Sequence, residues 1–147
     1  MSKKRNNQRQ YERKQGSREA IGERKRTISF SWEKLSPDQG QTVEQWEELG
    51  HLAIFCRKLQ QISQYSAGEA LAQKLIKQYT KVGFPDNSKF KKPTHISPAA
   101  WGVIHIKTNS KEVVAGYVED DVFYIVFLDA DHHFWPTDIQ SRGKNFK

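Results

Sequence analysis

Residues 101–136 read WGVIHIKTNSKEVVAGYVEDDVFYIVFLDADHHFWP, and this stretch decides the fold. It contains three runs rich in Val, Ile, Phe and Tyr, the residues that favour a pleated and half-buried surface. Two short polar segments separate the runs, and connections of that length force neighbouring strands to be antiparallel. The pattern therefore predicts a three-stranded antiparallel β-meander, with Asp, His and Trp residues gathered where its last strand ends.

The residues before this meander predict one short strand followed by two helices. Residues 27–32 alternate polar and apolar side chains, which is typical of a strand. Thr42 and Ser66 are each followed three positions later by Gln or Glu, the capping-box pattern of a helix start. Apolar residues at three- and four-residue steps then predict a first helix of about 20 residues and a second helix that reaches Tyr79. Together these segments predict an α+β fold in which an antiparallel helix pair covers one face of the sheet.

Composition excludes several classes of protein. The only cysteine, Cys56, leaves no intramolecular disulfide, and its place in the first predicted helix favours a small buried apolar residue over a nucleophile. The chain has no apolar run long enough to span a membrane, and its basic start lacks the apolar core of a secretory signal. We therefore expect a cytoplasmic protein. No phosphate loop, dinucleotide fingerprint or nucleophile elbow is present, so no cofactor is expected.

Positive charge is concentrated at one end of the chain. Residues 1–26 contain ten Lys or Arg and three Glu, a net charge of +7, whereas residues 27–147 contain fourteen of each sign. The first segment has few large apolar side chains, which predicts a disordered tail or a frayed helix. The domain prediction is therefore a basic tail at 1–26, a single α+β domain at 27–136 and a C-terminal tail at 137–147.

The basic tail has two interpretations. It either keeps the protein in solution or contacts a polyanion, because Lys and Arg release condensed counterions from phosphates. For the second interpretation, the aromatic ring of Trp135 could also stack on a base, although such a ring more often closes the edge of a small core. The candidate nucleic-acid-binding residues are Lys3, Lys4, Arg5, Arg9, Arg13, Lys14, Arg24, Lys25, Arg26 and Trp135.

Polar residues also recur at defined points of the predicted meander. His105 and Lys107 share one face of its first strand, Lys111 precedes the second strand, and His132 and His133 follow the third. Together with the order of strand, helix pair and meander, this pattern over residues 27–136 resembles the RelE/ParE-like toxin superfamily. The resemblance implies a bacterial toxin that cleaves mRNA at the ribosome, and an antitoxin protein as its partner.

The chain departs from that family's pattern in its cations. No arginine lies between Arg57 and Arg142, so the phosphate-clamping arginine that the family often has near the start of the second strand is replaced by Lys111. The same resemblance therefore also allows a non-enzymatic regulator or protein-binding module on this fold, in which the basic tail makes the contacts.

Metal-independent RNA cleavage needs a base for the 2′-hydroxyl, an acid for the leaving oxygen and a cation for the phosphorane. Imidazole suits the first two roles and Lys the third. The candidate catalytic residues are His105, Lys107, Lys111, His132 and His133. The alternative is that His105 and Lys107 simply form the solvated face of a half-buried sheet.

The sequence Asp129-Ala130-Asp131-His132-His133 also raises the question of a metal. Its D-x-D-H-H spacing matches no established ligand pattern, so no metal site is predicted. The alternative is a turn at the end of the strand, in which aspartate side chains accept hydrogen bonds from loose backbone N–H groups.

The last strand, residues 122–128, is apolar on both faces and does not alternate. Both faces should therefore be covered. The helix pair can cover one face. The other must meet the tail, the loop near residues 84–90, or a partner such as an antitoxin or a second copy of the chain.

Overall fold

The computed structural model describes residues 26–78, 83–97 and 100–136. The predicted basic tail, apart from Arg26, and the predicted C-terminal tail lie outside these residues. None of the helices within the described ranges is long and apolar enough to cross a membrane.

Within the described residues, five strands form one mixed sheet in the order β1-β5-β4-β3-β2. They span Ser29–Ser31 (β1), Lys77–Gln78 (β2), Trp101–His105 (β3), Val113–Glu119 (β4) and Val122–Asp129 (β5). Strands β2 to β5 pair antiparallel, and β1 pairs parallel to β5. The α+β class is as predicted. The strand predicted at residues 27–32 is present as β1. The prediction of a three-stranded antiparallel sheet is incomplete, because β1 joins the sheet parallel to β5 and β2 adds an edge strand that was not predicted.

A β-bulge interrupts the alternation of faces along β5. Ala115 pairs with Phe127 and Gly116 pairs with Ile125, so Val126 has no cross-strand partner. Val126 and Phe127 consequently lie on the same side of the sheet, while Ile125 lies on the other. Opposite the bulge only glycine fits, since a Cβ at Gly116 would collide with the carbonyl oxygen of Tyr124.

In the part of the chain that the structure describes, three short helices, rather than a pair, precede the meander: Val43–Glu48 (α1), His51–Ile62 (α2) and Ala67–Ala72 (α3). The predicted capping boxes at Thr42 and Ser66 are both present. The predicted long first helix is broken at Gly50, whose φ of 78° is left-handed. The second helix stops at Ala72 instead of reaching Tyr79, because the chain then turns into β2.

The helices cover one face of the sheet, and their apolar side chains pack with those of the strands to form what we call the helix-side cluster. Trp46, Phe55 and Ile62 are fully buried there. Phe55 receives the edges of Trp32 and Trp46, with both pairs of ring centroids 5.9 Å apart. The prediction of a buried Cys56 is wrong. Its side chain is exposed, because the helix turns its buried face toward the sheet through Phe55 and Ile62.

Residues 83–97, which we call the strap, cover the opposite face without regular helix or strand. Phe84 packs edge-on against Trp101 at 5.1 Å, and Phe90 stacks on Phe127 at 4.6 Å. With Phe134 these rings form the strap-side cluster. Strand β5 is therefore buried on both faces, as predicted, and the chain's own loop supplies the second cover.

Candidate functional site

The candidate site lies at the end of the sheet where strands β3 and β5 both end. Register places His105 opposite Val113, and Val113 opposite Asp129. His105 follows Trp101 and Val103 at two-residue steps, so all of them face the strap side. The expectation that His105 points to a solvated face is therefore wrong. It is half-buried, because the strap and the turn after β5 cover this end of the sheet.

The turn after β5 brings a second imidazole to His105. The ring centroids of His105 and His132 lie 5.8 Å apart with an interplanar angle of 40°. His132 adopts a left-handed φ of 60°, and its buried Nδ1 has no hydrogen-bond partner within the described ranges. His133 points elsewhere, with its ring 6.5 Å from that of Phe90. Two of the three candidate histidines thus meet, and the third belongs to the contact with the strap.

Asp129 fixes this turn. Its carboxylate is fully buried, and its two oxygens accept hydrogen bonds from the backbone N–H groups of His133, at 2.9 Å, and Phe134, at 2.8 Å. Burial raises the pKa of Asp129 above 3.8, and outweighs the lowering by these two bonds and by the nearby imidazoles of His132 and His133. The side chain therefore acts as a turn-forming acceptor, which is the alternative that its sequence allowed.

The candidate lysines are both engaged by acids. Lys107 Nζ lies 3.9 Å from Glu112 Oε1, and Lys111 Nζ lies 3.7 Å from Asp131 Oδ1. Glu112 is also 3.9 Å from His51 Nε2 and accepts a hydrogen bond from the Ser110 hydroxyl. The positive charge expected for a phosphate is thus largely balanced at this end of the sheet.

Of the remaining candidate residues, Trp135 and Arg26 lie within the described ranges and the others do not. Trp135 is half-buried and packs against the strap-side cluster, so it closes the edge of a core. Arg26 is largely exposed, with its guanidinium 3.9 Å from Asp121. The other basic candidates, Lys3 to Lys25, lie outside the described residues. Within those residues no group of three or more His, Cys, Asp or Glu is arranged to hold a metal ion.

Sequence reasoning missed two features of this region. One is the partnership of Glu112 with Lys107 and His51, which joins a strand start to a distant helix and leaves no local pattern. The other is the exposed positive charge of the strap, although its run Lys89-Phe90-Lys91-Lys92 did carry a signal. An aromatic residue inside a run of cations is the pattern of a segment that is anchored by its ring and exposes its charges.

Comparison of the chain with protein-family models, characterised proteins and solved structures gave no match. The chemistry of the site therefore has to be argued from its own side chains.

Proposed function

We propose that this protein is a non-enzymatic nucleic-acid-binding protein whose main phosphate contacts lie in residues 1–26. The observation that carries the proposal is the division of charge. Residues 1–26 hold a net +7, while the other 121 residues sum to zero. Each cation that neutralises a phosphate releases a condensed counterion, so such a segment supplies affinity without base-specific contacts.

The pairing of the domain's candidate lysines supports this assignment. Lys107 and Lys111 are each within 4 Å of a carboxylate, so a phosphate would have to compete for them. The exposed face of α1 carries Glu44, Glu47 and Glu48, which repel a polyanion. The N-terminal segment has three acids for ten bases and presents no such balance.

The salt dependence of binding tests the proposal. A triple variant Lys3→Gln, Lys4→Gln and Arg5→Gln should bind a short oligouridylate with a log–log salt slope that is shallower by up to about 2, since each lost contact to single-stranded nucleic acid removes about 0.7. The matched control replaces three lysines of the folded region with Gln, and should keep the wild-type slope. The control residues are Lys58, Lys74 and Lys77. Equal slopes for both variants and wild type would show that the segment only keeps the protein in solution.

A second candidate function is RNA cleavage, and a specific observation favours it. The 5.8 Å approach of His105 and His132 gives the two imidazoles that metal-independent cleavage requires. One imidazole would take the proton of a 2′-hydroxyl as its oxygen attacks phosphorus. The other would protonate the departing 5′-oxygen, which leaves a 2′,3′-cyclic phosphate and a 5′-hydroxyl. Lys107 and Lys111 would balance the phosphorane charge, because their exposed ion pairs are weak enough to exchange.

This second candidate predicts a clear contrast among histidine variants. His105→Gln and His132→Gln should each abolish cleavage of an oligoribonucleotide, and the wild-type rate should follow a bell-shaped pH profile. The control is His95→Gln, because His95 is an exposed strap residue whose ring contacts only the carbonyl of Lys34 among the described contacts. Cleavage that is equal in all three variants would eliminate the imidazole mechanism.

The relationship to RelE/ParE-like toxins belongs to this second candidate, as do a ribosomal target, an antitoxin or homodimer partner and a bacterial cytoplasmic location. The order of elements supports it, since a strand and helices precede the antiparallel strands β3 to β5. Induction in a bacterium should then arrest growth and cleave mRNA, and a His132→Gln variant should do neither. Growth that is unaffected by the wild-type protein would count against a toxin.

A further inference from the structure

The strap presents three lysines on a fixed backbone. Phe90 is inserted into the strap-side cluster and stacks on Phe127, which leaves Lys89, Lys91 and Lys92 exposed around it. The side-chain amide of Gln39 holds Lys91 from both sides, since it accepts from the Lys91 N–H at 2.7 Å and donates to its carbonyl at 2.8 Å. The backbone of this run is therefore ordered before any ligand arrives.

These lysines differ from the other cations near the site in their surroundings. Lys34, Lys107 and Lys111 each lie within 4 Å of a carboxylate. Across residues 26–78, 83–97 and 100–136, Lys89, Lys91 and Lys92 form no such ion pair. A phosphate that approaches the strap would meet three cations without first displacing an acid.

The strap also leads to the two imidazoles. The Lys89 N–H donates to the carbonyl of His133 at 3.0 Å, and the His133 ring lies beside Phe90. The preceding residue of the turn is His132, whose ring meets His105. A chain of phosphates that follows the strap lysines would therefore arrive at the end of the sheet where these histidines lie.

We propose that the strap is a second phosphate-binding surface, built into the folded domain and suited to a single strand of RNA. The proposal rests on the proposed function, because it takes nucleic acid as the ligand. Three cations within four residues follow one phosphate backbone. The strap is irregular and offers neither the helix nor the two-stranded ribbon that a duplex groove admits. Under the second candidate function, single-stranded RNA would also supply the 2′-hydroxyl on which the adjacent imidazoles act.

Binding of oligouridylate by the full chain tests this surface. The variant Lys89→Gln, Lys91→Gln and Lys92→Gln should show a salt slope that is shallower than wild type by up to about 2. The control variant at Lys58, Lys74 and Lys77 carries the same change of charge and should keep the wild-type slope. Unfolding midpoints should match among all three proteins, because Gln39 and Phe90 anchor the strap through backbone and ring contacts. Identical slopes in the strap and control variants would overturn the proposal.

The arms of the experiment separate the possible failures. A normal slope in the Lys3, Lys4 and Arg5 variant together with a shallow slope in the strap variant would support the strap and overturn the N-terminal assignment. Equal wild-type affinity for oligouridylate and a duplex of the same length would overturn the preference for a single strand. Tighter binding of polyaspartate than of oligouridylate to the wild-type protein, lost in the strap variant, would identify an acidic protein as the ligand and overturn the proposal.

Discussion

The two covers of the sheet differ in both construction and charge. On the helix side, residues 43–72 form three capped or packed helices with four Glu against Arg57 and Lys58, a net charge of −2. On the strap side, residues 83–97 lack regular structure and hold three Lys against Asp86, a net of +2. Both covers bury a cluster of rings. One cover is therefore specified by local helix signals, whereas the other is specified by aromatic residues that anchor it to the sheet, which leaves its exposed positions free to carry charge.

The largest expected effect comes from deleting one ring on each side. Trp101→Ala on the strap side and Phe55→Ala on the helix side should each lower the free energy of unfolding by about 3–5 kcal/mol, because both side chains are fully buried. Urea unfolding would measure both. A cost below about 1 kcal/mol for Trp101→Ala alone would mean that the strap is only loosely attached. The two covers would then not be equally well packed.

The bulge under the strap gives the next effect. Gly116→Ala should cost about 1–3 kcal/mol, since its Cβ would collide with the Tyr124 carbonyl and press on the Phe123 ring. The matched control is Gly68→Ala in α3, where an added Cβ meets nothing within 4 Å. That variant should gain about 0.4–1 kcal/mol from reduced freedom of the unfolded chain. Similar stabilities for both variants would contradict the close approach of β4 and β5.

The turn after β5 gives an effect that depends on pH. Asp129→Asn leaves one backbone N–H of the turn without an acceptor, which should cost about 1–3 kcal/mol. Because burial raises the pKa of Asp129, the folded protein holds a proton that the unfolded chain has released when the pH lies between the ordinary and the raised pKa. The stability that this proton binding contributes to the folded state is complete below the ordinary pKa of 3.8. It is lost as the pH rises through the raised pKa.

The Asn variant lacks this titration. The stability difference between wild type and variant should therefore be widest in acid and should narrow toward neutral pH, as measured by urea unfolding at a series of pH values. A difference that widens with pH would mean that the folded state favours the carboxylate, and would reverse the sign assigned to burial.

The smallest effect belongs to the helix side. Thr42→Ala removes the side chain that accepts the Gln45 N–H at 3.0 Å, and should cost about 1 kcal/mol. Ser66→Ala at the start of α3 should behave in the same way, since its hydroxyl accepts the Glu69 N–H. If neither substitution changes the thermal midpoint, the caps do not help to define this cover.

How much of the fold can be predicted from the sequence depends on whether the interacting residues lie close together in the chain. The capping boxes at Thr42 and Ser66 were predictable because both partners lie three residues apart. The break at Gly50 was not predictable, because the apolar periodicity continues through this residue although its φ is left-handed. The strand at Lys77–Gln78 was not predictable either, because its pairing with β3 overrides the apolar periodicity there. The short strand at residues 27–32 and the strands of the meander were visible in their side-chain patterns, whereas the parallel pairing of β1 with β5 depends on contacts across more than 90 residues.

The candidate site shows the same limit. Its residue types could be named in advance, but the pairing of His105 with His132 rather than His133 depends on the left-handed φ of His132. The neutralisation of Lys107 by Glu112 was equally hidden. It arises from the loop between β3 and β4, where the side-chain directions are set by the fold and not by spacing.

Amide hydrogen exchange of the full chain, with and without oligouridylate, is the most direct test of whether RNA binds the strap side of the sheet. The two covers differ in charge, so RNA should slow exchange in residues 83–97 and in the turn at residues 131–134 while leaving α1 to α3 unchanged. Slower exchange confined to the helices, or no change in either cover, would contradict the assignment of the strap as the nucleic-acid-facing side of the folded domain.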